Sequence, residues 1–349
     1  MRAGFRGLFV AVIGTALGLT ALAGPATATL NVFQTFPDAA LSIDGATATE
    51  ATNPLQSNTP AGATIVAAYL YVSDVFGGGV AGDVTLNGQF LPVASGTLLA
   101  PNENPANTRR FDVTANVSAA ITAAGGGLVT HTYAERGFTD GAVLVVVWKN
   151  ASTAGGTAIM LDGELAQAGD KTTVSFGAYK GGDFIMSIAD SFSFNGSAPD
   201  GSDATGQVSL IDVTTSSTAK RRLTSCAGGN DDGNFVSANG ALMTAGGIGD
   251  SPTNPNPACK GGAQDDELYN LALGNSADAS PFIKLGDTSL TFDTSNPSFD
   301  DNIFGIFFTS SFGVVVGPPP AATPEPASLV LLGAGLVGLG VYFRRGRRR

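Results

Sequence analysis

A single histidine, His131, and two cysteines, Cys226 and Cys259, stand among the 349 residues. Any imidazole chemistry must therefore pass through one side chain. One histidine can serve a Ser-His-Asp arrangement, but no G-x-S-x-G occurs and nothing marks a partner serine. A zinc site would need further ligands. Set in Leu128-Val129-Thr130-His131-Thr132-Tyr133, His131 reads as an ordinary strand residue. Cys226 and Cys259 flank a run rich in Gly, Asn and Pro with little core of its own. They are expected to form one structural disulfide, adding about 3–4 kcal/mol by restricting the unfolded chain. A catalytic or metal-binding thiol pair, the alternative, lacks a nearby histidine.

Oxygen ligands are more plentiful. Asn230-Asp231-Asp232, Asp265-Asp266-Glu267 and Asp300-Asp301-Asn302 are clusters of the kind that hold hard cations. None matches the twelve-residue EF-hand loop. One or two of them are expected to converge on a structural Ca2+ ion, and no other cofactor is required. The competing reading makes them solvated turns and, for Asp265 to Glu267, the acidic first turn of a helix over 265–273. Paired carboxylates for glycoside hydrolysis remain open, because such pairing is spatial. Tyr69 and Tyr71 lie two apart on a strand, hence on one face, where they could stack on a sugar ring; core packing explains them equally. Gly77 to Gly82 satisfies G-x-G-x-x-G, yet Asp83 to Asn87 after it is strand-like. No helix N-terminus follows to receive a pyrophosphate, so this is a hairpin loop.

The elements that must position these groups are strands. Short β-branched and apolar runs bounded by Gly, Asn and Asp recur from Thr64 to Val316, and helical periodicity is nearly absent. Ala142 to Trp148 is apolar throughout, which implies a central strand buried on both faces. Arg109 to Val117 reads as a half-exposed strand, with helical turns only at 118–124 and 265–273. Asn87-Gly88 marks a tight hairpin. We expect an all-β body built as two packed sandwiches, 29–154 and 155–316, divided near Thr153 to Gly156. A single large sandwich is the competing architecture. The order of Val84-Thr85-Leu86-Asn87-Gly88 and Phe111-Asp112-Val113-Thr114 resembles jelly-roll modules of secreted carbohydrate-active proteins. With Asp265 to Tyr269 and Asp300 to Phe304, the pattern also resembles an uncharacterised family of exported bacterial and archaeal proteins.

Both ends read as sorting signals. Arg2 and Arg6 precede an apolar stretch from Gly7 to Leu22, and Ala26-Thr27-Ala28 offers small residues for cleavage after Ala28. Ala21-Leu22-Ala23 is the alternative cleavage site. At the other end a Pro-rich spacer, 317–323, leads to Pro324-Glu325-Pro326. Seventeen apolar or small residues, Ala327 to Phe343, then reach about 25 Å as a helix, just short of a bilayer core. Five arginines follow, between Arg344 and Arg349, and hold that side in the cytoplasm. This tail resembles the PEP-CTERM sorting signal of Gram-negative bacteria. The resemblance implies transient anchoring in the inner membrane, processing near Pro324, Glu325 and Pro326 by an exosortase, and delivery to the envelope, surface or extracellular matrix. An anchor that is never cut is the alternative.

Without both signals the chain loses seven bases and Glu325. Eleven bases then face 28 acids, a net charge of −17. Such a field argues against nucleic acid and anionic membrane surfaces as partners. The expected role is structural or adhesive in the matrix, not enzymatic, with exopolysaccharide or other matrix proteins as partners. A secreted carbohydrate-binding module or carbohydrate-active enzyme is the alternative.

Overall fold

The computed structural model describes residues 30–47, 52–74, 83–99, 107–136, 139–165, 169–191, 209–227, 243–254, 257, 267–295 and 302–316. The first half carries β1 (Asn31–Pro37), β2 (Ala40–Thr47), β3 (Thr52–Thr59), β4 (Thr64–Ser73), β5 (Val84–Leu86), β6 (Gln89–Leu91), β7 (Thr97–Leu98), β8 (Arg109–Asp112), α1 (Thr114–Ala124), β9 (Gly127–Glu135) and β10 (Gly141–Lys149). The second carries β11 (Thr157–Asp162), β12 (Lys171–Ser175), β13 (Phe184–Ser191), β14 (Ser209–Thr215), β15 (Arg221–Ala227), β16 (Met243–Ala245), β17 (Leu268–Asn270), β18 (Ser289–Ser295) and β19 (Asn302–Ser310). Every pairing between these strands is antiparallel.

Four sheets stack in layers. An outer sheet, β3-β9-β5-β6, covers an inner one, β2-β10-β4-β8-β7. A second inner sheet, β1-β11-β19-β13-β16 with β17 also on β13, is covered by β12-β18-β14-β15. Three apolar cores separate the layers, the middle one lying between the two inner sheets. That layering explains the unbroken apolar runs. On β10, Ala142, Leu144 and Val146 face one core while Val143, Val145 and Val147 face the middle one, all fully buried. Outer strands instead alternate buried and half-buried residues, as β14 and β18 show. β1 breaks the sequence order: residues 31–37 complete a sheet otherwise made from residues beyond Thr157.

Two edges have backbone groups engaged from outside their sheets. Because Gln56 and Asn58 direct their amides away from β9, the outward positions of β3 are 54, 56 and 58. Pro54 has no amide hydrogen; Gln56 N donates to Asp44 Oδ2 (2.5 Å) and Asn58 N to Ser42 Oγ (2.8 Å). On β2, Leu41 N meets Thr309 Oγ1 at 3.2 Å, and Ile43 O accepts Ile248 N at 3.0 Å.

Two local expectations fail. The strand expected over Arg109–Val117 stops at Asp112, whose Oδ1 accepts the Thr114 amide (2.9 Å) and turns the chain into α1. Val117 and Ile121 then pack one helical turn apart in a core, and Gly125 (φ 79°) ends the helix. The helix expected over 265–273 is replaced, from Leu268, by β17 and a turn. Pairing with β13 buries Tyr269, and Ile188 N donates to Glu267 O, outweighing local helical preference. The Asn87-Gly88 hairpin is present, with φ of 50° and 77°.

Candidate functional site

Tyr69 and Tyr71 do share a face, and it points into the middle core. Tyr71 is fully buried, between Phe304 and Phe307 with ring centroids 5.7 and 5.5 Å away. Its hydroxyl donates to Asp162 Oδ2 at 2.9 Å. Tyr69 meets Phe33 edge-on and donates to Gln34 Oε1 (3.1 Å). Neither ring offers a face to a sugar, which corrects the stacking expectation: central strands of an inner sheet have no solvent side.

What Tyr71 reaches is a polar seam between the two halves. Arg110 on β8 ion-pairs with Asp162 on β11, its guanidinium lying 3.4 Å from the centroid of the Phe33 ring. Further along, Glu164 Oε1 accepts Thr108 N (2.7 Å), Thr108 Oγ1 meets Ser73 Oγ (3.0 Å), and Ser73 donates to Ser191 (2.9 Å). Burial raises Asp162, against hydrogen bonds from Arg110 and Tyr71, and lifts Glu164 to about 8. The carboxylates face protein, not a cleft. Sequence reading misses Arg110 and Asp162 because nothing local distinguishes them from strand-end charges.

His131 does find a serine. Ser57 Oγ lies 2.9 Å from its Nε2, with both residues fully buried. The hydrogen-bond pattern runs against catalysis. Asn87 Oδ1 accepts the Thr132 amide (3.1 Å), which turns Asn87 Nδ2 toward His131 Nδ1 (3.0 Å) and Asn116 Oδ1 (2.8 Å). An amide nitrogen only donates, so Nδ1 accepts and Nε2 carries the proton. A serine's general base needs the opposite arrangement. Burial also holds the imidazole down to about 4. His131 is a strand residue that joins β3, β9 and the Asn87 turn.

These buried groups set the pH response. Burial raises Asp44 and Glu135 to about 7 and Glu164 to about 8. The folded chain therefore keeps protons that the unfolded chain releases near pH 4, and stability falls as pH rises from about 4 to 8. His131 opposes this only below about 6.5, where the unfolded imidazole protonates first. Thermal melts are expected to show a higher midpoint at pH 6 than at pH 8.5. A midpoint that rises over that interval contradicts the buried carboxylates.

Of the expected calcium ligands, Asp231, Asp232, Asp265, Asp266, Asp300 and Asp301 lie outside the described residues. Glu267 is buried just before β17. Among the described residues no three acidic, histidine or cysteine side chains are placed to hold a metal ion. Cys226 falls on β15, while its side chain and Cys259 lie outside the description, and so does their pairing. Gly77 to Gly82 also lies outside it.

A cleft of about 440 Å³ opens between the inner sheets beside β2 and β13, floored by Ile185, Leu268 and Phe307. Gly246 to Gly249 forms one wall. A Cβ at 246 would meet Glu267 O at 2.2 Å, and one at 247 would meet Ile43 O at 2.1 Å, so only glycine fits. The hydroxyls of Ser42, Ser187 and Thr309 already meet backbone groups. Among the described residues no charged side chain lines the cleft.

The body ends at Val316, and the spacer, Pro-Glu-Pro, apolar run and arginines follow in order. Residues 322–349 match the PEP-CTERM protein-sorting motif. The chain carries a PEP-CTERM sorting signal. This marks a protein that is exported and processed at its C-terminus in association with the membrane, and it implies an exosortase as the processing partner. The β-rich body fits the architecture read from the sequence. Among the described residues no helix is long and apolar enough to cross a membrane; the PEP-CTERM segment lies outside them. None of the curated proteins matches the chain. Among solved structures, the major capsid protein P2 from Bacteriophage PM2 is similar at 10% identity, covering 80% of this chain and 99% of that one. The TM-score of 0.20 carries no argument.

Proposed function

We propose that the mature body is a non-enzymatic structural or adhesive component of the envelope or extracellular matrix of a Gram-negative bacterium. The PEP-CTERM motif carries this reading. The body beneath it supports a structural role. Its one histidine and the Arg110–Asp162 pair are consumed by internal packing, and its tyrosine pair is buried. Release of the tail by an exosortase would free a layered, acidic block to associate with exopolysaccharide or other matrix proteins.

The test is the intact mass of the protein recovered from envelope and medium fractions of its host, with the same material incubated with host exopolysaccharide. We expect a species beginning near Thr29 and ending near Pro324, and no release of oligosaccharide. An uncut C-terminus in the inner membrane removes the matrix reading. Released sugar replaces it with a carbohydrate-active enzyme.

A further inference from the structure

The strands of the inner sheets give the body two unlike ends. At one, Pro37 pairs with Thr157, and Thr157 and Phe184 with Ser310; at the other, Asn31 pairs with Asp162 and Ser191 with Asn302. The chain leaves for its tail from the first end, where Val314 N donates to Thr157 Oγ1 (2.9 Å). Two turns are tied together there. Gly286 N donates to Tyr179 O and Tyr179 N to Asp287 O, and the Tyr179 ring packs 5.1 Å from that of Phe312. On these turns Lys180 and Lys284 are exposed. Leu285 is 75% exposed and Val315 79%, the two most exposed large apolar side chains of the described residues.

Charge divides along the same axis. Among the described residues the exit end adds half-buried Lys149 to these lysines, against exposed Asp38 and Asp183 and buried Asp287, whose carboxylate accepts the Lys284 amide (2.7 Å); Lys220 and Arg221 are already ion-paired. Among the described residues the far end holds half-buried Asp140 and Asp170, buried Asp74, Glu164 and Asp190, and Asp162 paired with Arg110, together with Arg109 and Arg136. Among the described residues the charges around Val316 are close to balance, and described acids at the far end act there only weakly, since fields are screened beyond about 10 Å. Ten residues separate Val316 from Ala327, where the apolar run begins. Fully extended, they keep Val316 within about 35 Å of the bilayer.

We propose that Lys180, Lys284, Leu285 and Val315 form a docking surface for the anionic face of the bilayer holding the tail, seating the body there until the tail is cut. The proposal rests on the sorting reading. Exposed apolar side chains flanked by lysines suit an interface of anionic headgroups. Two lysines near such a surface strengthen the contact by about thirtyfold.

The test uses the full chain in phosphatidylcholine vesicles, with and without phosphatidylglycerol, and follows acetylation of each lysine by mass spectrometry. Lys180 and Lys284 are expected to react several-fold more slowly on the anionic vesicles, with high salt or Leu285→Asp removing the protection. Lys171, toward the far end on β12, serves as the unchanged reference. Equal rates on both vesicles overturn the docking surface, and equal protection on neutral vesicles assigns the patch to a second copy, also overturning it. Carbonate extraction separates the two readings: a tail that does not insert removes the sorting reading, whereas an inserted tail with unprotected lysines removes only the docking.

Discussion

Asp162→Ala is expected to lower the unfolding free energy by about 3–5 kcal/mol, the cost of leaving a buried charge without its partner. Arg110 would lose its carboxylate while still held against the Phe33 ring, and Tyr71 would lose its acceptor in a fully buried site. The pair also joins β8 to β11, strands from different halves of the stack. The loss should therefore appear as weaker coupling between halves as well as a lower urea midpoint. Arg110→Met with Asp162→Leu is expected to recover the part of the loss that comes from the unpaired Arg110 charge, leaving the cost of the Tyr71 hydroxyl without its acceptor. If Asp162→Ala unfolds at the wild-type urea concentration, the seam is not a source of stability.

Replacing Pro324, Glu325 and Pro326 together by alanine is expected to reduce the processed species to a trace. Proline favours an extended backbone and cannot continue a helix, so Pro324 and Pro326 are expected to stop a helix of the apolar run from extending upstream. Three alanines are strong helix formers and would let the run extend upstream. The predicted readout is an intact, heavier chain confined to the inner membrane fraction, with the body's melting behaviour unchanged. Normal release of the triple variant would show that the motif is not what directs processing.

Much of the fold was legible where burial alone dictates composition. Ala142 to Trp148 reads as a central strand because a strand covered on both faces has no polar position, and Asn87-Gly88 reads as a hairpin because few residues accept positive φ. Arg109 to Val117 was misread because its alternation is loose and the Asp112 side chain, a local contact, diverts the chain into α1. Tyr69 and Tyr71 show a second limit: spacing gives the shared face but not which sheet covers it. The recruitment of residues 31–37 by β11, and the meeting of Ser57 with His131, depend on contacts 126 and 74 residues apart in order, which no local pattern encodes. The sorting tail was the most legible part, since its three segments work by their sequence order.

The closed flank of β3 bears on how an exported protein would behave where its copies are crowded. With Pro54 lacking a donor and Gln56 and Asn58 already engaged by Asp44 and Ser42, an incoming extended chain finds no free donor at these three positions of the flank. Copies crowded in a matrix would then adhere there through side chains alone, and such contacts dissolve when salt or pH changes. Growth into an amyloid-like fibre needs backbone donors as well as acceptors, and this flank withholds its donors.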